Sequence, residues 1–257
     1  MLLAIPLGLI IGLVVGTVGG GGAILALPAL VYVLGEPVGA ASTAALIVVA
    51  LAAAVGAGSL ARGGFVCWRI ALTFSAPAVL GALAGAVANT LVSGPALILA
   101  FVPVMLLAAG ATWYKAGTQG EQADDGCPQV DRGRLLIAGL LVGTLTGFFG
   151  VGGGFLIVPV LTVSMGVSLR RATATSLVVI FLTGVAALVS HLATGATPPL
   201  GLTALLAGAT ATGALCGSLI AARLPQQALG RGFAIVVTLV ALLLAVDTLV
   251  LGGPPGS

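Results

Sequence analysis

Ionised side chains are nearly missing from this chain: nine Lys and Arg and six Asp and Glu stand among 257 residues, 6% in all. A soluble globular domain carries about 25% charged residues because its surface meets water. With 60% hydrophobic residues, this chain has no such surface to offer and needs hydrocarbon around it. The other scarcities narrow the chemistry. The single histidine, His191, cannot build a metal site alone. Cys67, Cys127 and Cys216 have neither metal-ligand spacing nor an evident disulfide pattern, so they read as small fillers or loop residues. There is no His-Glu-x-x-His motif, no serine elbow with triad partners and no acidic pair placed for general acid–base work. No catalytic residue, metal or cofactor is therefore expected. Nine cations scattered over separate loops make no nucleic-acid footprint either.

What is present is apolar sequence in long runs, at about 2–18, 40–61, 70–92 and 95–114, then at 135–149, 171–193, 200–222 and 228–250, with shorter runs at 23–34 and 155–165. About 20 residues of helix cross a bilayer core, and helix is the backbone state that satisfies every amide within lipid. The first run lacks a basic leader and reads as a membrane helix rather than a signal peptide. An all-α polytopic membrane protein with eight to ten segments is predicted.

The runs form two copies of one plan. At an offset of 131, Gly12, Gly16, Gly19, Gly21, Gly22 and Pro28 fall on Gly143, Gly147, Gly150, Gly152, Gly153 and Pro159. Gly81–Gly85 resembles Gly213–Gly217 at an offset of 132. This divides the chain into a first repeat (1–114), a linker (115–134), a second repeat (135–250) and a tail (251–257). Charge chooses the topology. If each glycine-interrupted pair, 2–34 and 135–165, turns back at its glycines, all nine cations fall in loops on one side. If each pair crosses once, they split five to four. The positive-inside rule favours the first arrangement, with 115–134 cytoplasmic and the tail external. The two repeats are then inverted, as in many secondary transporters.

The glycine clusters are the sharpest local feature. Glycine leaves the backbone amide unobstructed, and free amides opening a half-helix at membrane depth suit an anion. Gly19, Gly21, Gly22, Gly150, Gly152, Gly153 and Gly154 are therefore candidate site residues, against a packing role through small residues. Hydroxyls gather beside them: Thr17, Thr144 and Thr146 before the clusters, Ser42 and Thr43 opening one following run, and Thr173, Thr175 and Ser176 opening its counterpart. Ala44-Ala45 stands where the second half has Thr175-Ser176, which predicts an asymmetric site. Pro28 and Pro159 shape the short helices. His191 and Asp247 are the candidates for proton linkage, against ordinary interface positions.

The Gly143–Pro159 segment, the paired glycine clusters and Ala172-Thr173-Ala174-Thr175-Ser176 resemble the sulfite exporter TauE/SafE family over essentially the entire chain. The resemblance implies a permease of the bacterial or archaeal inner membrane for sulfite, organosulfonates or small carboxylates. It also implies export, with the glycine breaks and the Thr173–Ser176 element at the substrate. Expected partners are a small inorganic or organic anion, membrane lipid, a coupled proton or other ion, and a second copy of the chain. A passive anion channel and a non-transporting assembly subunit are the competing readings.

Overall fold

In the computed structural model, residues 4–36, 38–89, 94–118, 126–149, 154–193 and 200–246 are described. Within these residues the apolar runs all become helix. Helix α1 (Ala4–Val18) leads into a tight 3-10 turn at Gly19–Gly22, then α2 (Ala23–Pro28) and a widened π turn at Ala29–Val33. Helices α3 (Val38–Arg62), α4 (Trp68–Asn89) and α5 (Gly94–Thr118) complete the first half. The second follows the same order: α6 (Arg132–Phe149), α7 (Gly154–Pro159) with a π turn at Val160–Ser164, α8 (Leu169–Ala193), α9 (Leu200–Arg223) and α10 (Gln226–Val246). Among the described residues, seven helices are long and apolar enough to cross a membrane. Exposed leucines along them, such as Leu72, Leu107, Leu141 and Leu243, suit a shell of lipid.

Local chemistry fixes the ends. Pro28 and Pro159 each lack an amide hydrogen, and in both places the helix beyond the proline widens into a π turn. Both turns then stop alike. Gly35 (φ +71°) and Gly166 (φ +67°) take a left-handed conformation that only glycine adopts at little cost. The next amide reaches back to close the end, Glu36 to the carbonyl of Leu30 at 3.1 Å and Val167 to that of Leu161 at 3.1 Å. Each of these pairs is separated by the offset of 131 seen in the sequence. At the start of α6, the Asp131 carboxylate accepts from the Arg134 amide at 3.2 Å, an N-cap on the first turn.

Two backbone-to-backbone seams hold the bundle together. Gly12 and Gly16 of α1 lie so close to α9 that a methyl group on either would overlap a carbonyl oxygen, of Thr210 or Ala214. Gly213 and Gly217 of α9 meet the carbonyls of Leu9 and Leu13 in return. The second seam repeats this between α6 and α4: Gly139, Gly143 and Gly147 face Phe74, Ala78 and Ala82, while Gly81 and Gly85 face Leu140 and Thr144. Without a hydrophobic drive between helices in lipid, such close approach is what binds them. Each seam joins a helix of one half to a helix of the other.

The seams also give direction. Residue numbers rise together along α1 and α9 and along α4 and α6, so each pair is parallel. The loops following α3, α5 and α9 and preceding α8 meet at one end of the bundle. There Arg171 Nη1 donates to the Gly64 carbonyl at 3.0 Å, and Arg170 Nη2 to that of Leu224 at 2.8 Å. Arg231 stacks over the Trp113 ring at 5.7 Å. Gathering these loops together excludes the single-crossing arrangement, which would put Arg171 and Gly64 on opposite faces. Helices α1 and α3 both run toward this cationic end, so residues 19–36 between them run back; α6 and α8 both run away from it, so the described residues 154–168 return. The 15 described residues of α1 span about 22 Å.

One expectation is corrected at this end. Cys67 and Cys127 are not isolated fillers: they form a disulfide, with Cα atoms 5.7 Å apart. They lie 60 residues apart in sequence, and only the folding of the linker against the α3–α4 loop brings them together. Cys216 is a free, exposed thiol on α9.

Candidate functional site

The two glycine breaks meet. A methyl group on Gly20 would lie 2.5 Å from the Gly154 Cα and overlap the Gly154 carbonyl, so the backbones touch with nothing between them. Gly19 turns with φ +74°, and its missing side chain leaves room for α8: a methyl group there would meet Ser176 Oγ at 2.8 Å and Thr173 Cγ2 at 3.1 Å. On the other side of the contact, Gly154 packs against Ile180. Ser176 is seven residues beyond Leu169, about 10 Å along α8, and Ile180 about 16 Å. The junction therefore sits between the cationic end and the middle of the bundle.

Its polar groups are all neutral. Thr173, Thr175 and Ser176 are buried, as is Thr43 on α3, and among the described residues the buried polar side chains are hydroxyls throughout. Their hydrogen bonds differ. The Ser176 hydroxyl donates to the Thr173 carbonyl at 2.8 Å. Thr175 Oγ1 accepts from the Cys67 amide at 3.1 Å, which leaves its own hydrogen for another acceptor. Thr17, Thr144 and Thr146 donate to the carbonyls of Leu13, Leu140 and Val142. They serve the preceding turns of α1 and α6, as hydroxyls in membrane helices commonly do. Phe101, Phe149 and Phe155 stack around the second break, with ring centroids 4.9 and 5.3 Å from Phe101.

Not every expected residue is placed in this junction. Ser42 and Thr43 open α3, a helix that runs antiparallel to α8, with Gly56 beside Leu177 and Gly184 beside Ala50. Gly21 and Gly22 complete the 3-10 turn. Gly150, Gly152, Gly153, Asp247 and the side chain of His191 lie outside the described residues. Gly20 was missed by the sequence reading because its partner at the 131 offset is Val151, which breaks the glycine match. Its signal was the unbroken run of four glycines.

A family model described as sulfite exporter TauE/SafE matches residues 4–244. This chain belongs to the TauE/SafE family. It is also 33% identical over 189 residues to a "Probable membrane transporter protein" of Xylella fastidiosa strain 9a5c, covering 70% of this chain and 69% of that protein. A protein of the same description from strain Temecula1 is 32% identical over 188 residues, with the same coverage. No solved structure gives a significant match. As a TauE/SafE protein with seven spanning-length helices among its described residues, the chain is an integral membrane transporter, and the segments that carry the resemblance supply Gly154, Thr173 and Ser176 to the junction.

Thr175 ties this junction to the cationic end, and the tie is measurable. Thr175→Val is expected to leave the buried Cys67 amide without its acceptor, at a cost of about 1–3 kcal/mol. Thr175→Ser should keep the bond and the stability. Thermal unfolding of the purified variants in detergent checks this; equal midpoints for valine and parent would remove the assigned duty.

Proposed function

We propose that the chain is a secondary transporter that exports a small anion, such as sulfite, an organosulfonate or a small carboxylate, across the bacterial or archaeal cytoplasmic membrane by alternating access. The observation that carries this reading is the meeting of two broken helices beside buried hydroxyls with no ionised side chain among them. The amide end of a helix carries about half an elementary positive charge. It attracts an anion without the cost of burying Lys or Arg in lipid, and without a full ion pair that would hold it. The opposite directions of α1 and α6 relative to the cationic end support inverted repeats, the architecture on which many secondary transporters rock.

Reconstituted protein supplies the test. Proteoliposomes loaded with sulfite should release it at a saturable rate, and protein-free vesicles should not. Flux that never saturates would favour a channel, and no flux with sulfite, sulfonate or carboxylate would overturn the proposal.

Orientation follows from charge. The cationic end faces the cytoplasm in this proposal, which places the exposed Gln129 of the linker inside. A single cysteine at Gln129, in a background free of native cysteines, should resist membrane-impermeant maleimide in intact cells and react after lysis. Labelling in intact cells would reverse the orientation.

A further inference from the structure

The Cys67–Cys127 disulfide lies at the end of the bundle that carries the cations, the end assigned above to the cytoplasm. Disulfides there are generally transient, catalytic or sensing rather than structural. The two sulfurs are unequal. Cys67 is 3% exposed and stands at the N-cap of α4, where its carbonyl accepts from the Ala71 amide at 2.9 Å. Burial closes this sulfur to an entering nucleophile, so it is the one that leaves. Cys127 is exposed on the linker, and Arg171 Nη1 donates to its Sγ at 3.6 Å. An anionic nucleophile therefore meets an open sulfur beside a guanidinium, while its partner sulfur is out of reach.

We propose that this disulfide is a covalent sulfite-reactive site, cleaved by the class of anion the protein exports. The sulfur lone pair of sulfite attacks Cys127 Sγ and forms a new S–S bond while the Cys127–Cys67 bond breaks. The sulfite sulfur is oxidised by two electrons and the disulfide is reduced. Cys127 becomes an S-sulfonate and Cys67 leaves as a thiolate, with two negative charges on each side of the step. No other oxidant or reductant enters. The Arg171 guanidinium draws in the dianion and holds the S-sulfonate that forms. Cleavage unfastens the linker from the α3–α4 loop, whose Cys67 amide is held by Thr175, so the cargo anion acts on a tether one hydrogen bond from the junction. This inference rests on the reading of a sulfur oxyanion as substrate.

The full chain, purified without reductant and reconstituted in proteoliposomes, is treated with sulfite or, as a non-nucleophilic control, sulfate. Peptide mass analysis with maleimide trapping is expected to find one SO3 group on Cys127 and a trapped thiol at Cys67 after sulfite only. Arg171→Gln should slow adduct formation roughly tenfold, and Arg171→Lys should restore much of the rate by restoring the charge. Two free thiols before sulfite is added, an adduct on Cys67, no adduct at all, or an unchanged rate in Arg171→Gln would each overturn the proposal. Sulfite flux through a Cys67→Ser, Cys127→Ser double variant is read separately. Flux without any adduct in the parent removes the covalent site and keeps the transporter, whereas an adduct without flux keeps the site and removes the transporter.

Discussion

Gly147→Val is expected to cost the protein its fold. A β-carbon at Gly147 would lie 2.7 Å from the Ala82 Cα and would overlap the Ala82 carbonyl, both backbone atoms that no rotamer change can move aside. The helices cannot simply part, because Gly81 and Gly85 of α4 are seated just as closely on the backbone of α6. Separating the pair to admit one side chain loses the whole seam. The expected loss is at least ~3 kcal/mol, the upper part of the range for overpacking. Gly110 on α5 is the control, since a β-carbon there meets nothing within 4 Å, and Gly110→Ala should unfold with the parent. Thermal unfolding and size-exclusion profiles in detergent compare the three proteins. A Gly147→Val protein as stable as the parent would mean that the α4–α6 seam is not what holds the bundle.

Gly20→Ala is expected to abolish transport. The added methyl group must displace the Gly154 backbone, which lies 2.5 Å away at its Cα, and Gly154 is itself backed by Ile180. The two breaks are forced apart, and the amides that would face the anion lose their mutual placement. Sulfite flux at least tenfold lower is expected, equivalent to about 1.4 kcal/mol, provided that elution and melting show an intact fold. Gly58→Ala, on the exposed face of α3 with nothing within 4 Å, should transport like the parent. Parental flux in a folded Gly20→Ala protein would place the anion path elsewhere.

Much of the architecture was legible in advance because lipid imposes a simple rule on sequence. Within the described residues every apolar run became helix, with starts displaced slightly: the run read from 228 begins at Gln226. The repeat was legible for a different reason. Glycine and proline are tied to backbone geometry rather than to neighbours, so Pro28 and Pro159, kept at the same offset, kept the same widened turn. Partnership was not legible. Gly81 and Gly85 stood out as one of a repeated pair of glycine segments, but the spacing of small residues marks a face without saying which helix covers it. Nothing in the first half names α6 as the partner of α4. The disulfide escaped for the same reason, since neither Cys67 nor Cys127 has a local pattern that identifies the other. Within the junction, the hydroxyls of Thr173 to Ser176 stood out as a cluster. Their unequal hydrogen bonding, with Ser176 donating inward to its own helix and Thr175 accepting from Cys67, depends on contacts that only the folded chain supplies.

The exchange of partners across the seams has a consequence for biogenesis. Helix α1 enters the membrane well before α9, which begins at Leu200, yet α9 is the surface that covers its glycines. At roughly 5–20 residues per second, the ribosome needs on the order of ten to forty seconds to supply it. During that interval a short hairpin with a bare glycine face sits in lipid without its partner, and α4 waits in the same way for α6. A nascent chain arrested before α9 should therefore leave α1 open to crosslinking with the insertion machinery, and release should come only when α9 emerges. A helix made early is among the last to be secured.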